Sequence, residues 1–270
     1  MRFFAALVAL VAGLAAAPAR AQQPPGDAAT LELVDPDVLR VCADPNNLPF
    51  SDEAGQGFEN KIAVLLGQKL GKPVEYTYFP QVIGFARNTL NAFRCDVVMG
   101  IVQGDSLMQT TTPYYRTSYA LVFKPGQGLD GVTSLSDPRL QDKRIGVVAR
   151  TPPATVMMLD GLMPRAKPYP LTVDTRVESP ARNMIGDILS GEIDAGILWG
   201  PLAGYYAKQA GASLAVVPLL SEKAAPMSFR ISMGVRHSDQ TWKLTLDRLI
   251  AQNRVEISRI LADYGVPLLD

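Results

Sequence analysis

The segment Leu39–Gly71, with the sequence LRVCADPNNLPFSDEAGQGFENKIAVLLGQKLG, decides the fold of this chain. It begins with an apolar strand, which Pro45 and Pro49 cannot continue because proline lacks the N–H that a sheet ladder needs. A helix is expected from Asn60 to the glycine at 71, since apolar residues recur there at helical spacing. In an open α/β sheet, ligands bind at the loop that leaves the carboxyl end of a strand. The segment therefore predicts six residues at the mouth of a cleft: Asp44, Asn46, Asn47, Phe50, Phe58 and Glu59.

The same alternation of strand and helix continues along the chain and predicts an α/β fold. Apolar strands separated by helices are typical of a mainly parallel sheet that is covered on both faces. Strands are expected at 74–79, 96–101, 118–124, 144–149, 172–177, 193–198 and 230–235, and helices at 82–94, 181–190, 202–210, 241–252 and 256–264. Lys124–Gly128 has the composition of a linker into a second lobe.

The first 21 residues have the three parts of a secretory signal peptide. Arg2 supplies positive charge, residues 3–17 are apolar, and Ala19-Arg20-Ala21 is a small-residue cleavage site. We expect cleavage after Ala21, export to the periplasm, and a disordered leader at 22–30, which is polar and contains proline. No later apolar run is long enough to span a bilayer, so an integral membrane protein is not expected.

Charge and residue inventory exclude several classes of function. The chain has 26 basic and 26 acidic residues, a balance that gives no basis for nucleic acid or an anionic membrane as partner. His237 is the only histidine and lies in a polar turn, so neither a catalytic triad nor a zinc site of the usual His/Cys type is expected. We expect no metal, no cofactor and no enzymatic activity. An enzyme would need a cleft acid with a tuned pKa, for which the suitable positions are Asp44, Glu59 and Asp105.

Cys42 and Cys95 are the two cysteines of the chain. Cys42 lies on the first strand, and Cys95 opens the strand that is expected beside it. Because exported compartments are oxidising, a pair at facing positions predicts a disulfide. The alternative is two buried free thiols, because adjacent strands do not guarantee the geometry of a bridge.

The opening segment resembles that of type II periplasmic solute-binding proteins. The matching residues are Leu48-Pro49-Phe50, Gly55 and Gly57-Phe58-Glu59. The resemblance implies two lobes of mainly parallel sheet with flanking helices, joined by a two-strand hinge. It also implies that lobe 1 comprises residues 31–123 and 229–270, and that lobe 2 comprises residues 124–228.

The chain departs from the amino-acid receptors of this class at both charged anchors. Those receptors have an arginine after the third strand that pairs with the ligand carboxylate, whereas this chain has Gln103-Gly104-Asp105-Ser106-Leu107. They also have an acidic residue after a second-lobe strand, where this chain has Trp199-Gly200. An ordinary amino-acid ligand is therefore not expected, because the charged groups of a buried zwitterion must be paired.

Further strings resemble the quinoprotein-dehydrogenase-associated solute-binding proteins, the MoxJ/XoxJ proteins of methanol oxidation operons. They are LRVCADPNNLPFS, GFENKIA, GFARNTL, CDVVMG, TTPYYR and WGPLAGYYA. The resemblance implies a periplasmic accessory protein that binds or activates a PQQ-dependent methanol dehydrogenase. The cleft would hold a small solute, a cofactor fragment or a peptide segment of the partner. The alternative is a conventional receptor that delivers a small non-amino-acid ligand to an ABC transporter.

Candidate cleft residues lie in the loops at the carboxyl ends of the strands. Aromatic side chains supply flat apolar walls, and a few polar groups fix the orientation of a ligand. Trp199 and Arg150 each follow an apolar strand of lobe 2, whereas core packing is the favoured interpretation for Phe85 and Tyr205. The candidates are Asp44, Asn46, Phe50, Phe85, Gln103, Tyr114 and Arg116 in lobe 1, and Arg150, Thr151, Trp199 and Tyr205 in lobe 2.

Overall fold

The structure is a computed structural model and describes residues 32–270. The predicted signal peptide and leader lie outside the described residues. Within them, no helix has the length and apolar composition needed to cross a membrane.

The secondary structure alternates strands and helices. The strands are β1 Leu39–Ala43, β2 Asn46–Asn47, β3 Ser51–Asp52, β4 Val74–Tyr78, β5 Val97–Val102, β6 Gln109–Thr110, β7 Tyr115–Phe123, β8 Ile145–Val148, β9 Ala166–Tyr169, β10 Ala195–Trp199, β11 Ala215–Pro218 and β12 Ser228–Val235. The helices are α1 Phe58–Leu70, α2 Phe85–Asn88, α3 Pro152–Leu159, α4 Pro180–Ser190, α5 Gly200–Gln209, α6 Gln240–Gln252 and α7 Arg254–Asp263.

Strand β7 joins the two lobes of the fold. The strand order is β4-β1-β5-β12-β7-β10-β8-β9, with β1 parallel to β4 and β5, and β8 parallel to β9 and β10. Residues 115–118 of β7 pair with β12, whereas residues 119–123 pair with β10. The chain therefore crosses between the lobes on β7 and returns on β12. This confirms the predicted architecture of two mainly parallel sheets with a two-strand hinge, while the exact residue limits of the lobes stay a prediction.

Each lobe has its own hydrophobic core. In lobe 1, Phe58 and Ile62 of α1 pack with Trp242 of α6 against the sheet. In lobe 2, Leu121 of β7 packs with Ile197 of β10 and other buried residues beneath α3. Separate cores allow the lobes to move as units about the strands that connect them.

Helix α1 begins two residues earlier than predicted, at Phe58. Gly57 precedes it, and its N–H donates to Oδ1 of Asn60, an oxygen that also accepts from the N–H of Asp52. A Cβ at Gly57 would lie 2.0 Å from the carbonyl oxygen of Phe50. Glycine is therefore required at position 57, because the backbone of the preceding turn lies too close to leave room for a side chain.

Two predicted elements are wrong. Residues 172–177 do not form a strand: the edge strand beside β8 is β9, and residues 172–177 instead include a turn in which the N–H of Val177 donates to the carbonyl of Asp174. The helix expected at 82–94 is reduced to Phe85–Asn88. Gly84 has φ 94° at its start, and the Thr89 hydroxyl donates to the Phe85 carbonyl at its end. A side chain that bonds the backbone competes with continuation of a helix.

The predicted disulfide is confirmed. Cys42 and Cys95 are bonded, with their Cα atoms 5.4 Å apart, and β1 and β5 are neighbours in the sheet. Phe85 and Leu90 pack around the bridge in a small cluster on lobe 1. The bridge therefore ties the chain after α2 to the first strand.

Candidate functional site

A cavity of about 330 Å³ lies between the two lobes. This volume is at the lower end of the range for small-ligand pockets. Lobe 1 contributes Asn46, Asn47, Leu48 and Gln81, and most of the remaining wall comes from lobe 2.

Three helices of lobe 2 begin at the wall of this cavity. The residues that precede α3, α4 and α5 are Thr151, Ser179 and Trp199, and all three line it. Helix N-termini carry partial positive charge. Arg182 also lines the cavity, as does Arg176, whose guanidinium is ion-paired with Asp174, and Glu178 is the one carboxylate among the lining residues. The electrostatics of the cavity therefore favour an anionic group.

Aromatic side chains form the hinge side of the cavity. The ring of Trp199 lies edge-on to that of Tyr119, with centroids 5.1 Å apart, and to that of Phe229 at 5.8 Å. Trp199 and Tyr119 line the cavity. Because Tyr119 lies on β7 and Phe229 on β12, the indole packs directly against both hinge strands.

One segment of lobe 2, residues 170–179, spans the cleft and contacts lobe 1. We call it the strap. The Thr175 hydroxyl lies 2.8 and 2.9 Å from the two carboxylate oxygens of Asp44 and donates to that carboxylate. In return, the side-chain amide of Asn46 donates to the backbone carbonyl of Thr175 at 2.9 Å. We call this pair of contacts the latch.

Asp44 is fully buried, and its hydrogen bonds are supplied by this chain alone. Its carboxylate also accepts from the backbone N–H groups of Asn46 at 2.9 Å and Gln81 at 2.7 Å. A buried carboxylate needs such donors, because an unpaired one would be costly. Any molecule that binds Asp44 must therefore displace the strap first.

Glu59 is a second buried carboxyl near the latch, in the first turn of α1. A Cβ at Gly100 would lie 2.1 Å from its Oε1, so a side chain at position 100 would overlap the carboxyl group. Burial, and secondarily the charge of Asp44, raise the pKa of Glu59 to about 8. Glu59 is not among the residues that line the cavity.

On the other side of the hinge, α5 packs against the chain that follows α7. A Cβ at Gly204 would lie 1.8 Å from the carbonyl oxygen of Gly265. The rings of Tyr205 and Tyr264 are stacked with centroids 6.1 Å apart, and Lys208 donates to the carbonyl of Asp263. This contact and the latch together hold the lobes in one relative position.

Of the eleven candidate cleft residues, the structure brings four together, and Asn47, which was also predicted at the mouth of the cleft, lies in the cavity wall as well. Asn46, Thr151 and Trp199 line the cavity, and Asp44 binds the strap at its edge. The Thr151 hydroxyl donates to the carbonyl of Val148. The lone pairs of the Thr151 oxygen can therefore accept from a donor in the cavity.

The other seven predicted residues do not line the cavity. Phe50 packs against the lobe 1 core, Phe85 against the disulfide cluster, and Tyr205 on Tyr264. The Tyr114 hydroxyl donates to the carbonyl of Met99, and Arg116 donates to the backbone carbonyl of Asp270. Gln103 is exposed after β5, and Arg150 lines a separate groove along α3 of lobe 2.

Sequence reasoning missed most of the lobe 2 wall. Thr175, Arg176 and Arg182 line the cavity, but 172–177 alternates like a strand and was expected inside the sheet. Tyr119 is predicted inside a strand, without a sign that it faces the cleft. The order Ser179-Pro180 before an apolar helical pattern is the signal that could have placed a helix N-terminus here.

Comparison with known proteins identifies the family. The protein MoxJ of Methylorubrum extorquens is 31% identical over 292 residues, which cover 99% of this chain and 96% of MoxJ. The crystal structure of the periplasmic binding protein XoxJ from Methylobacterium extorquens AM1 covers 86% of this chain and 100% of its own, with 40% identity and a TM-score of 0.75. The crystal structure of MxaJ from Methlophaga aminisulfidivorans MPT gives the same coverage, 25% identity and a TM-score of 0.73.

No protein-family model matches the chain. The match to MoxJ nevertheless spans almost the whole of both sequences, and the match to XoxJ extends over both lobes. The disulfide strands, the hinge and the inter-lobe cavity all lie within residues 32–270. The chain belongs to the MoxJ/XoxJ family of periplasmic binding proteins.

Proposed function

We propose that this protein is a periplasmic accessory protein of methanol or alcohol oxidation, which binds or activates a PQQ-dependent methanol dehydrogenase through its inter-lobe cleft. Membership of the MoxJ/XoxJ family supports the link to methanol oxidation, because the sequence resembles the J proteins of methanol oxidation operons. The role is non-catalytic. In this proposal the partner that binds at the cleft is the dehydrogenase and not a transporter.

The observation that favours an accessory role over a solute receptor is the latch. In a periplasmic receptor, the ligand bridges two lobes and shifts their equilibrium toward closure. Here Thr175 of the strap bridges to Asp44, so closure uses this chain's own groups. A partner that competes for Asp44 would open the cleft, which is the reverse of what a transported solute does.

The rim of the cleft also supports a protein partner. Ile83 is 91% exposed on the lobe 1 side, and Leu171 and Val177 of the strap are 54% and 83% exposed. Leu171 and Val177 line the cavity, and Ile83 follows Gln81, which also lines it. Exposed apolar groups at the edge of a concave site are typical of protein–protein contact surfaces.

The experiment is a calorimetric titration of the mature protein with the purified methanol dehydrogenase of the same organism, in metal-loaded and metal-free forms and at two salt concentrations. We expect saturable binding that Val177→Asp weakens, whereas Val255→Asp, at a similarly exposed valine on α7 outside the cavity lining, leaves it unchanged. Absence of heat, together with absence of co-elution at tens of micromolar, would exclude a direct interaction.

The alternative function is a receptor for a small non-amino-acid ligand, and the size and positive lining of the cavity favour it. Its test is a thermal-shift screen of small organic anions. A ligand that binds only the native state must raise the melting temperature. A saturable shift by one such compound, without binding of the dehydrogenase, would establish the receptor function instead.

A further inference from the structure

A second concave surface lies along α3 of lobe 2. We call it the α3 groove. It meets the inter-lobe cavity at Thr151, which lines both. The other residues that form it are mainly apolar and include Arg150, Pro152, Ala154, Met158, Met163 and Pro226.

Helix α3 has an apolar face that this chain does not cover. Its sequence, PPATVMML, contains no charged residue, and a helix that is apolar all round is normally buried. Only Pro153, Val156 and Met157 of α3 are buried. Met158 and Leu159 are 61% and 63% exposed. The outer face of α3 is therefore apolar surface exposed to solvent.

Arg150 gives one end of the groove a positive charge. It is the one charged side chain among the residues that line the groove, and it immediately precedes Thr151, the residue before α3. Its guanidinium has no hydrogen-bond or ion-pair partner within residues 32–270. The partial positive charge of the α3 N-terminus acts at the same end.

The backbone of Arg150 is also held in an unusual conformation. Its φ is 64°, in the left-handed region that residues other than glycine adopt at a cost. Strained residues persist where the surrounding structure holds them, and they cluster at functional sites. Arg150 is thus an exposed arginine next to Thr151, the residue at which the groove meets the cavity, and no contact within residues 32–270 uses its guanidinium.

We infer that the α3 groove docks an apolar segment of the partner protein that carries a carboxylate at the Arg150 end. This inference rests on the proposed function and names a second surface through which the dehydrogenase is bound. Methionine side chains are flexible and polarisable, so Met158 and Met163 adapt to an apolar segment. The carboxylate pairs with Arg150 and with the positive end of α3. Because the groove meets the cavity at Thr151, one bound segment extends from the cleft onto α3.

The test compares two groove variants with a matched control in the calorimetric titration with the dehydrogenase. Met158→Ser removes the apolar contact, and Arg150→Gln removes the charge. Val255→Ser on α7 is the control, because Val255 is also apolar and 70% exposed on a helix. We expect each groove variant to weaken binding about tenfold or more and the control to leave it unchanged. The Arg150→Gln effect is expected to shrink at high salt, because screening weakens an exposed charge pair.

Two results would overturn the inference separately from the proposed function. Equal binding by the wild type and both groove variants would leave the dehydrogenase as partner and remove the groove from the contact. A dimer of the chain alone in light scattering, dissociated by Met158→Ser, would make a second copy the occupant. Failure of the wild type to bind would instead overturn the proposed function, and the groove inference with it. Circular dichroism of both variants confirms that a change in binding is not a change in folding.

Discussion

Two effects oppose each other at Glu59: the helix N-terminus favours a charged carboxylate, whereas burial disfavours the charge. Negative charge is favourable in the first turn of a helix, yet burial raises the pKa of Glu59 from its usual 4.5 to about 8. The folded state therefore holds a proton that the unfolded state releases above about pH 4.5. Stability must fall as the pH rises from that value to about 8, because folding takes up a proton throughout this window.

Glu59→Gln should remove most of this pH dependence. We expect the variant to exceed the wild type in free energy of unfolding at about pH 8, by a few kcal/mol at most, and to differ less at about pH 5. Urea unfolding across this pH range measures the free energy of unfolding of both proteins. Glu75→Gln, at an exposed position on β4, is the control and should follow the wild type. If the free energy of unfolding of Glu59→Gln and of the wild type changed with pH in parallel, Glu59 would not be the source of the pH dependence.

Individual residues were predictable from sequence where local chemistry determines them. Cys42 and Cys95 could be paired because strand order and compartment both favour a bridge. Asp44 could be placed at the cleft because it follows β1 directly. Its partner Thr175 could not be found, because 131 positions separate the two residues and no local pattern marks a hydrogen bond over that distance.

At the scale of elements, the strap determines whether the cleft is closed. Thr175→Val keeps the shape of the side chain but removes its hydroxyl donor to Asp44. Loss of such a bond to a buried group costs about 1–3 kcal/mol. We expect hydrogen exchange in residues 170–179 to accelerate about tenfold or more, since each tenfold corresponds to about 1.4 kcal/mol.

Thr172→Val is the matched control for the latch. Thr172 lies in the same strap but is exposed. Its replacement should leave exchange in the strap unchanged. Equal exchange in Thr175→Val and Thr172→Val would show that the latch does not hold the strap to lobe 1.

Sequence patterns predicted most of the sheet but not the strap. Apolar strands such as β5 and β10 are recognisable because both faces are buried. Residues 172–177 also alternate, but their side chains face the cavity and solvent instead of two packed layers. The period of a segment gives its pattern of exposure, and that pattern does not distinguish a strand from a strap over a cleft.

At the scale of the whole molecule, the contact between α5 and the chain after α7 restricts the lobes. Gly204→Ala would place a Cβ 1.8 Å from the Gly265 carbonyl oxygen, so backbone must move. We expect a loss of about 1–3 kcal/mol in stability, typical of overpacking. Gly186→Ala on α4 is the control, because its Cβ would meet no atom within 4 Å.

The control should respond in the opposite direction. Alanine is favoured over glycine inside a helix by roughly 0.5–1 kcal/mol, so Gly186→Ala should raise the melting temperature. Thermal unfolding of both variants measures the difference. A Gly204→Ala protein as stable as the wild type would show that α5 and the chain after α7 are not in close contact.

The two-lobed architecture followed from the resemblance and from the order of strands, and the structure confirms it. The relative position of the lobes could not be predicted from the resemblance or from the order of strands. It depends on the latch, the hinge aromatics and the Gly204–Gly265 contact, which join residues distant in sequence. Such contacts are set by tertiary packing and carry no local signature.

The most direct measurement of the accessory role is a calorimetric titration of the methanol dehydrogenase with the wild-type protein and with Thr175→Val, side by side. Both should bind saturably, and Thr175→Val should bind about tenfold more tightly, because a cleft that is already open removes the cost of opening from the apparent affinity. No heat and no co-elution with either protein would contradict a direct role in methanol oxidation through the cleft.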